Sequence, residues 1–289
     1  MTTTTAARCS RPRTVVGRGL RAVALVLSVA TADLAQGGEE QELREEAKVS
    51  GRITLQGRPF SFLTDPSTPS AGVATMAYAF GIGSGVSADR PIPVNLATSN
   101  GSHSISLGYG MTDRLAPFAS ATLAENTTGA AGVAGVAATV SAGLSYQFTR
   151  PGAPLSFTVS GAGVHEGVSS ASGLSTVAAA SLDQGALRVA ANVRADKIFA
   201  ANRDSVDVIT MVGASYRVAT VLRVGAEYVG QDLEEMFGDN AEGGARHAAG
   251  PSVALDLDGG RYQLALASAF GLTARSPRAL IRAALAVNF

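Results

Sequence analysis

Three histidines are the residues of this sequence whose chemistry could support hydrolysis: His103, His165 and His247. Serines flank His103 on both sides, and a serine becomes a nucleophile when a neighbouring histidine accepts its proton. His165 lies beside Glu166 in a predicted loop, and His247 ends another predicted loop, so we predict that both are solvated. We predict that His103 is a rim residue, that no residue is catalytic, and that the protein is not an enzyme.

Motifs for metals and cofactors are missing from the sequence. The single cysteine, Cys9, excludes a disulfide framework and a cysteine-based zinc site. No group of histidines and carboxylates has the spacing of metal ligands, and no glycine motif opens a helix as phosphate-binding loops do. We therefore expect no metal and no cofactor.

Charged residues in the second half of the chain form a more informative set. They alternate with apolar residues, so in strands they would share the face opposite the apolar one. Inside a pore these arginines would favour anionic or polar solutes, because rings of charge set selectivity. Alternatively they pair with acids and fill the interior, for example as Arg223–Asp207 and Arg261–Asp256. The predicted inward charges are Arg188, Arg194, Asp207, Arg217, Arg223, Glu227, Asp256, Arg261 and Arg282.

The elements that position these charges show a period of two from residue 71 onward. In the last stretch Ile281, Leu285 and Phe289 share one face, while Arg282 and Asn288 share the other. A helix would scatter both sets around its axis, whereas a strand places each set on one side. We count twelve such stretches. Strands 3 (about 116–124) and 6 (about 173–182) are so rich in alanine that the sequence does not show which of their two faces is apolar.

Short turns and longer loops alternate between the predicted strands. The longer loops fall at about 81–100, 125–133, 164–172, 196–205, 231–247 and 271–278. An even number of strands of roughly ten residues with this alternation is typical of a membrane barrel, because lipid tolerates no unpaired strand edge. The prediction is an all-β chain that forms a transmembrane antiparallel up-and-down β-barrel of about twelve strands.

Aromatic residues gather near the ends of the predicted strands. Such rings prefer the interface between membrane and water, so we predict two aromatic girdles. The predicted girdle residues are Tyr109, Phe118, Tyr146, Phe148, Tyr216, Tyr228, Tyr262, Phe270 and Phe289.

The N-terminal region has the pattern of an export signal. Residues 1–21 are basic, residues 22–30 are apolar, and Ala30-Thr31-Ala32 supplies the small residues that signal peptidases recognise. The apolar stretch is too short for a membrane-spanning helix, which needs roughly 20 residues. The predicted divisions are a signal peptide at 1–32, a periplasmic leader at 33–70 and a barrel at 71–289.

The composition excludes several classes of protein. The 289 residues carry 23 basic and 23 acidic side chains, and charged residues make up only 16%. A strongly basic nucleic-acid-binding protein and a disordered chain are therefore excluded. The abundance of small residues fits a two-faced wall that is apolar toward lipid and small or polar toward the interior.

The export signal, the alternating strands and the final Ala286-Val287-Asn288-Phe289 resemble those of bacterial outer-membrane β-barrel proteins. The resemblance covers 71–289 and the signal, and it identifies no single transporter family. It implies a Gram-negative outer-membrane location, contact with outer-membrane lipid, and recognition by the barrel-assembly machinery through Val287 and Phe289. The sequence around His103 does not resemble the His-x-Ser pattern of some outer-membrane lipid hydrolases, because Ile105 stands where that pattern has its serine. A soluble β-sandwich also alternates, but it would rarely carry such sorted aromatics.

We predict a monomeric, passive outer-membrane channel for small polar or anionic solutes, with no nucleic-acid partner. One alternative is a filled barrel with a structural or surface-interaction role that uses loop 231–247, and the third is a lipid hydrolase. We also hypothesise that the acidic leader folds back onto the arginine wall as a plug. The leader acids are Glu39, Glu40, Glu42, Glu45 and Glu46.

Overall fold

A computed structural model describes residues 60–85, 101–126, 135–167, 170–200, 206–231, 246–274 and 276–289. The predicted signal peptide, the acidic part of the leader and most of loop 231–247 lie outside the described residues. Within the described ranges, no helix has the length and apolar character to cross a membrane.

Twelve strands form one antiparallel sheet that closes on itself. Each strand pairs with its neighbours in sequence, and β1 pairs with β12 to complete the barrel. The prediction of a twelve-stranded antiparallel up-and-down barrel is confirmed. The strands are β1 Ala74–Ser84, β2 Ser102–Tyr109, β3 Leu115–Asn126, β4 Gly135–Gln147, β5 Leu155–Glu166, β6 Ala171–Gln184, β7 Leu187–Ile198, β8 Asp207–Arg217, β9 Leu222–Gln231, β10 Arg246–Leu257, β11 Tyr262–Gly271 and β12 Ala279–Asn288.

Side chains alternate between the two faces of the wall, as the sequence period predicts. In β7, Leu187, Val189 and Val193 are exposed on the outer face, whereas Arg188 and Asn192 are buried on the inner face. Large apolar side chains thus cover the outside of the barrel, where an ordinary soluble protein would carry polar ones.

The two alanine-rich strands also have defined faces. In β6, Leu174 and Leu182 are exposed, while Ser175 and Ser181 are buried. In β3 the inner face includes Phe118, which the sequence assigned to an aromatic girdle. Its cross-strand partners are glycines in β2 and β4, and it lines the internal cavity described below. The girdle assignment of Phe118 is therefore wrong.

The predicted long loop at 164–172 is also wrong. β5 continues to Glu166 and β6 begins at Ala171, so only residues 167–170 connect them. His165 pairs with Ser172 across the two strands instead of lying in a loop. Backbone pairing does not require apolar side chains, so the ladder extends beyond the stretch in which apolar residues alternate.

Candidate functional site: the barrel interior

Residues 60–70, here called the plug segment, occupy the inside of the barrel. The sequence assigned them to the end of the periplasmic leader. Phe60, Phe62 and Leu63 are buried in one apolar cluster with inward side chains of β8, β9 and β12. Full burial of a side chain of this size contributes about 1.5–3 kcal/mol. The wall residues of the cluster include Ile209, Met211, Val229 and Leu280.

Gly213 of β8 lies directly against the ring of Phe60. A Cβ atom at this position would lie 2.6 Å from the Phe60 ring, closer than real Cβ contacts. The glycine therefore leaves the space that the aromatic ring fills.

We predict that Gly213→Val displaces Phe60 and destabilises the plug, since overpacking of a filled site costs about 1–3 kcal/mol. Thermal unfolding of the purified barrel and protease protection of the plug segment measure this effect. Ala214→Val is the matched control, because Ala214 is the next residue of β8 and is exposed on the outer face. Equal behaviour of the two variants would contradict the contact.

Glu227 of β9 is the main anchor of the plug segment. Its side chain is buried, at 2% exposure, and its two carboxylate oxygens accept hydrogen bonds from successive main-chain N–H groups. Ser61 N lies 2.9 Å from Oε1 and Phe62 N lies 2.7 Å from Oε2. Hydrogen bonds to a charged acceptor are stronger than neutral ones, so this double contact holds the segment near the middle of β9.

Arg282 binds the same point of the plug segment from β12, which β10 and β11 separate from β9 in the wall. Its Nε donates to the main-chain oxygen of Ser61 at 2.9 Å, and the Ser61 hydroxyl donates to the main-chain oxygen of Arg282 at 3.2 Å. Glu227 and Arg282 together satisfy the N–H and the C=O of one residue.

Arg188 and Asn192 of β7 hold the middle of the plug segment. The Arg188 guanidinium lies 3.4 Å from Asp65 of the plug and 3.7 Å from Asp183 of β6. The Asn192 amide donates to the main-chain oxygen of Thr64 at 2.9 Å. Both side chains are almost fully buried, and breaking a buried ion pair by removing one partner is strongly destabilising.

The last part of the plug segment is hydrogen-bonded to side chains of β4 and β5. The Gln147 carbonyl oxygen accepts hydrogen bonds from the Thr68 N–H at 3.0 Å and from its hydroxyl at 3.2 Å. The Thr158 hydroxyl donates to the main-chain oxygen of Pro66. The chain then crosses the turn after β2, where Ala71 N donates to Asp113 at 3.0 Å, and enters β1.

The other predicted inward charges have varied surroundings. Arg194 forms a 2.8 Å ion pair with Asp196, its neighbour on the same face of β7. Asp207 begins β8, opposite Asp196 of β7. Arg223 donates to the main-chain oxygen of Ala186 at 3.4 Å. Arg217 ends β8 opposite Arg223 and is exposed, and Asp256 lies near the end of β10.

Two predicted pairings and one predicted position differ from the structure. Arg223 and Asp207 lie near opposite ends of the barrel wall, because Arg223 is opposite Arg217 in the β8–β9 register. Arg261 lies in the β10–β11 connection with a side chain that is 55% exposed, and it contacts Asp258 at 3.8 Å rather than Asp256. The turn places Arg261 at the rim and not on the inner wall.

A cavity of about 350 Å³ remains beside the plug segment. Most of its wall comes from β1 to β6, and β9 and β10 contribute none of its described lining. Two lining hydroxyls, those of Ser120 and Ser141, are hydrogen-bonded to each other at 2.7 Å. The half of the barrel with small polar side chains thus lines most of the open space. The charged side chains that hold the plug come from β7, β9 and β12, and Gln147 of β4 and Thr158 of β5 bind its last part. Hydroxyl residues of this wall are Thr75, Ser104, Ser106, Ser120, Thr122, Thr139, Ser141, Ser145, Ser160 and Ser175.

One histidine contacts a serine and the other two contact tyrosines. His165 Nδ1 lies 3.2 Å from the Ser172 hydroxyl, where both side chains are exposed on the outer face of β5 and β6. His103 lies on the outer face of β2, where its Nδ1 is 2.6 Å from the Tyr78 hydroxyl, while Ser102 is buried on the inner face. His247 lies in β10 rather than in a loop, and its Nδ1 is 2.6 Å from the Tyr228 hydroxyl. It is buried, at 2% exposure, so the prediction that it is solvated is wrong. Among the described residues, no group of three histidine, cysteine or carboxylate residues could hold a metal.

The remaining aromatic residues of the predicted girdles lie on the outer face or at its edge. Tyr146 and Phe148 meet edge to face with ring centroids 4.9 Å apart. Phe289 is 65% exposed, and its N–H donates to the main-chain oxygen of Ala74 at 2.9 Å. Their role at a membrane interface, and the role of Val287 and Phe289 in assembly, stay predictions.

Several residues of the interior were missed by the sequence reading. Asp65, Gln147, Thr158 and Asn192 hold or form the plug, and none belongs to an obvious motif. Asp183, near the end of β6, is also part of the interior and lies beside Arg188. The pairing register of β6 and β7 could have indicated this contact, because Asp183 is directly opposite Arg188.

Comparisons with known proteins support the fold. No family model matches the sequence, and no curated protein matches it. Among solved structures, an outer-membrane channel from Pseudomonas putida F1 is similar, with 15% identity, a TM-score of 0.50, and coverage of 78% of this chain and 99% of that chain. The β domain of the Bordetella autotransporter BrkA has 13% identity, a TM-score of 0.49, and coverage of 75% and 100%. A KdgM porin has 9% identity, a TM-score of 0.45, and coverage of 74% and 98%. The similarity to the Pseudomonas putida F1 structure shows the fold alone, a closed antiparallel β-barrel.

Proposed function

We propose that this protein is an outer-membrane channel that passively admits small polar solutes past the plug segment. The observation that carries the proposal is the cavity between the plug segment and the hydroxyl-rich inner wall of β1–β6. The apolar outer face supports a barrel surrounded by lipid. We further propose that the protein is exported by its signal peptide, is assembled by the barrel-assembly machinery and acts as a monomer.

The width of the barrel favours small solutes. Porins with 16–18 strands leave an open aqueous channel, whereas a barrel of twelve strands is narrower and is narrowed further here by the plug segment. Serine and threonine hydroxyls both donate and accept hydrogen bonds, so this wall can replace part of the hydration of a polar solute without attracting either sign of charge.

Charge selectivity is expected to be a weak preference for anions. The charged residues that line the cavity are Arg194, Arg282 and Asp65. Arg282 binds the plug, Arg194 is paired with Asp196, and Asp65 is paired with Arg188. Arg194→Gln should shift the reversal potential in a KCl gradient toward cations, because it leaves Asp196 without its cationic partner. Arg261→Gln is the control, since Arg261 is exposed at the rim. Identical reversal potentials for wild type and Arg194→Gln would refute a role for this arginine in selectivity.

Recordings of purified wild-type protein in planar lipid bilayers test the proposal itself. A channel gives discrete current steps, whereas a barrel filled by its plug with only a structural or surface-interaction role gives none. Recovery of the protein in the soluble periplasmic fraction would contradict the membrane location.

A further inference from the structure

The inner wall holds the plug segment largely through its peptide backbone. Glu227 accepts two successive N–H groups, while Arg282 and Asn192 bind main-chain oxygens at 2.9 Å. Thr158 and Gln147 bind a main-chain oxygen and an N–H further along the chain. These five side chains come from β4, β5, β7, β9 and β12, so the backbone-binding groups are distributed over much of the barrel circumference.

The same wall has matching sites for two kinds of side chain. The Phe60 ring fits over Gly213, in the apolar cluster that includes Met211 of the wall. Nearer the turns, the buried Arg188 guanidinium meets the carboxylate of Asp65 at 3.4 Å. The wall thus offers three kinds of contact in the order of the plug sequence. They are a site for an aromatic ring, groups that bind backbone amides, and a cationic site.

We propose that this inner wall is a binding site for short peptides, and that the plug segment is its tethered occupant. The fitting ligand class is a peptide with an aromatic residue toward its N-terminus and an acidic residue about five positions later. The inference rests on the proposed channel function only for the route by which a peptide reaches the site.

A tethered occupant competes strongly with any free peptide. A short linker gives the bound segment an effective concentration in the millimolar range, so a free peptide at lower concentration displaces little of it. The site is therefore tested in a full-length variant whose plug is weakened but whose wall is unchanged. The variant Phe60→Ser/Phe62→Ser/Asp65→Asn removes two of the three apolar contacts of the plug and its ion pair with Arg188, while Leu63 is kept.

The probe is a fluorescent synthetic peptide with the wild-type sequence of residues 60–70, and the readout is its anisotropy with detergent-solubilised barrel. We expect saturable binding to the weakened-plug variant and at least tenfold weaker apparent affinity for wild type, whose own plug occupies the site. Adding Glu227→Ala to the weakened-plug variant should reduce binding at least tenfold, with folding checked by circular dichroism.

Backbone methylation of the probe separates peptide recognition from apolar adhesion. Methyl groups on the nitrogens of Ser61 and Phe62 remove the two N–H groups that Glu227 accepts but keep every side chain. A peptide methylated on Leu63 is the control, because the Leu63 N–H makes no hydrogen bond within the described ranges. We expect at least tenfold weaker binding for the doubly methylated peptide only, and equal binding of all three peptides would overturn the proposal.

This assay does not require ion flow, so its result and that of the bilayer recordings are independent. Peptide binding without current steps in any variant would reject the channel and retain the peptide site. Current steps without specific peptide binding would reject the peptide site and retain the channel.

Discussion

Replacing Glu227 by alanine is expected to increase the single-channel conductance severalfold. The substitution removes the acceptor of two buried N–H groups, those of Ser61 and Phe62. Each unsatisfied buried group costs about 1–3 kcal/mol, so the change favours states in which the plug segment has left the wall. Planar bilayer recordings at fixed salt measure the effect, and protease sensitivity of residues 60–70 should rise in parallel.

Two variants show whether the effect of Glu227→Ala comes from the anchor. Glu227→Gln keeps the side-chain size and one acceptor oxygen, so it should give an intermediate conductance. Asp207→Asn also removes an inward negative charge, but at the start of β8, and it should leave the conductance close to wild type. The anchoring role of Glu227 is contradicted if Asp207→Asn raises the conductance as much as Glu227→Ala.

The second large effect is expected at Ser141, on the wall opposite the plug. Ser141 lines the cavity and is hydrogen-bonded to Ser120, so Ser141→Phe would place a ring in the remaining space of about 350 Å³. We expect the conductance to fall by more than half and the passage of larger neutral solutes to stop. Liposome swelling with a series of sugars of increasing size measures the change in solute passage.

Ala142→Phe is the matched control for Ser141→Phe. Ala142 is the next residue of β4 and is exposed on the outer face, so its larger side chain should enter the surrounding lipid. Both variants should fold, as judged by the thermal stability of the purified barrel. If the two variants conduct alike, solutes do not pass along the hydroxyl-rich wall.

The period of two predicted the barrel because each strand repeats the same physical requirement. Residues such as Val189 and Val193 must face an apolar surrounding, while Arg188 and Asn192 must face polar partners. This requirement fixes strand direction, face and approximate length. It does not fix the strand ends, which is why β5 and β6 extend through residues that lack apolar alternation.

The plug segment could not be predicted from local pattern. Its residues lie among prolines in a short mixed stretch, and its anchor, Glu227, is 166 residues from Ser61 in sequence. Nevertheless, β8 contained a signal, because Ile209 and Met211 are apolar at positions that should face the interior. Apolar side chains on an inner wall require an apolar partner, and Phe60, Phe62 and Leu63 supply it.

The arginine wall illustrates the limits of reading charge alone. The alternation correctly placed Arg188 and Arg282 on the inner side, but it could not show that both bind the plug segment. Arg261 follows the same alternation and lies in a turn, because residues after Leu257 leave the strand for a short 3-10 helix. The partners of these side chains depend on the strand register and on the segment that occupies the interior. Neither can be predicted from the period of two.

Single-channel recording of wild type, Glu227→Ala and Ser141→Phe under one set of conditions tests the central claim most directly. The claim is that solutes pass between a displaceable plug segment and the hydroxyl-rich wall of β1–β6. It predicts discrete steps whose size is greatest for Glu227→Ala, intermediate for wild type and smallest for Ser141→Phe. Absence of steps in all three folded proteins, or steps of equal size, would contradict it.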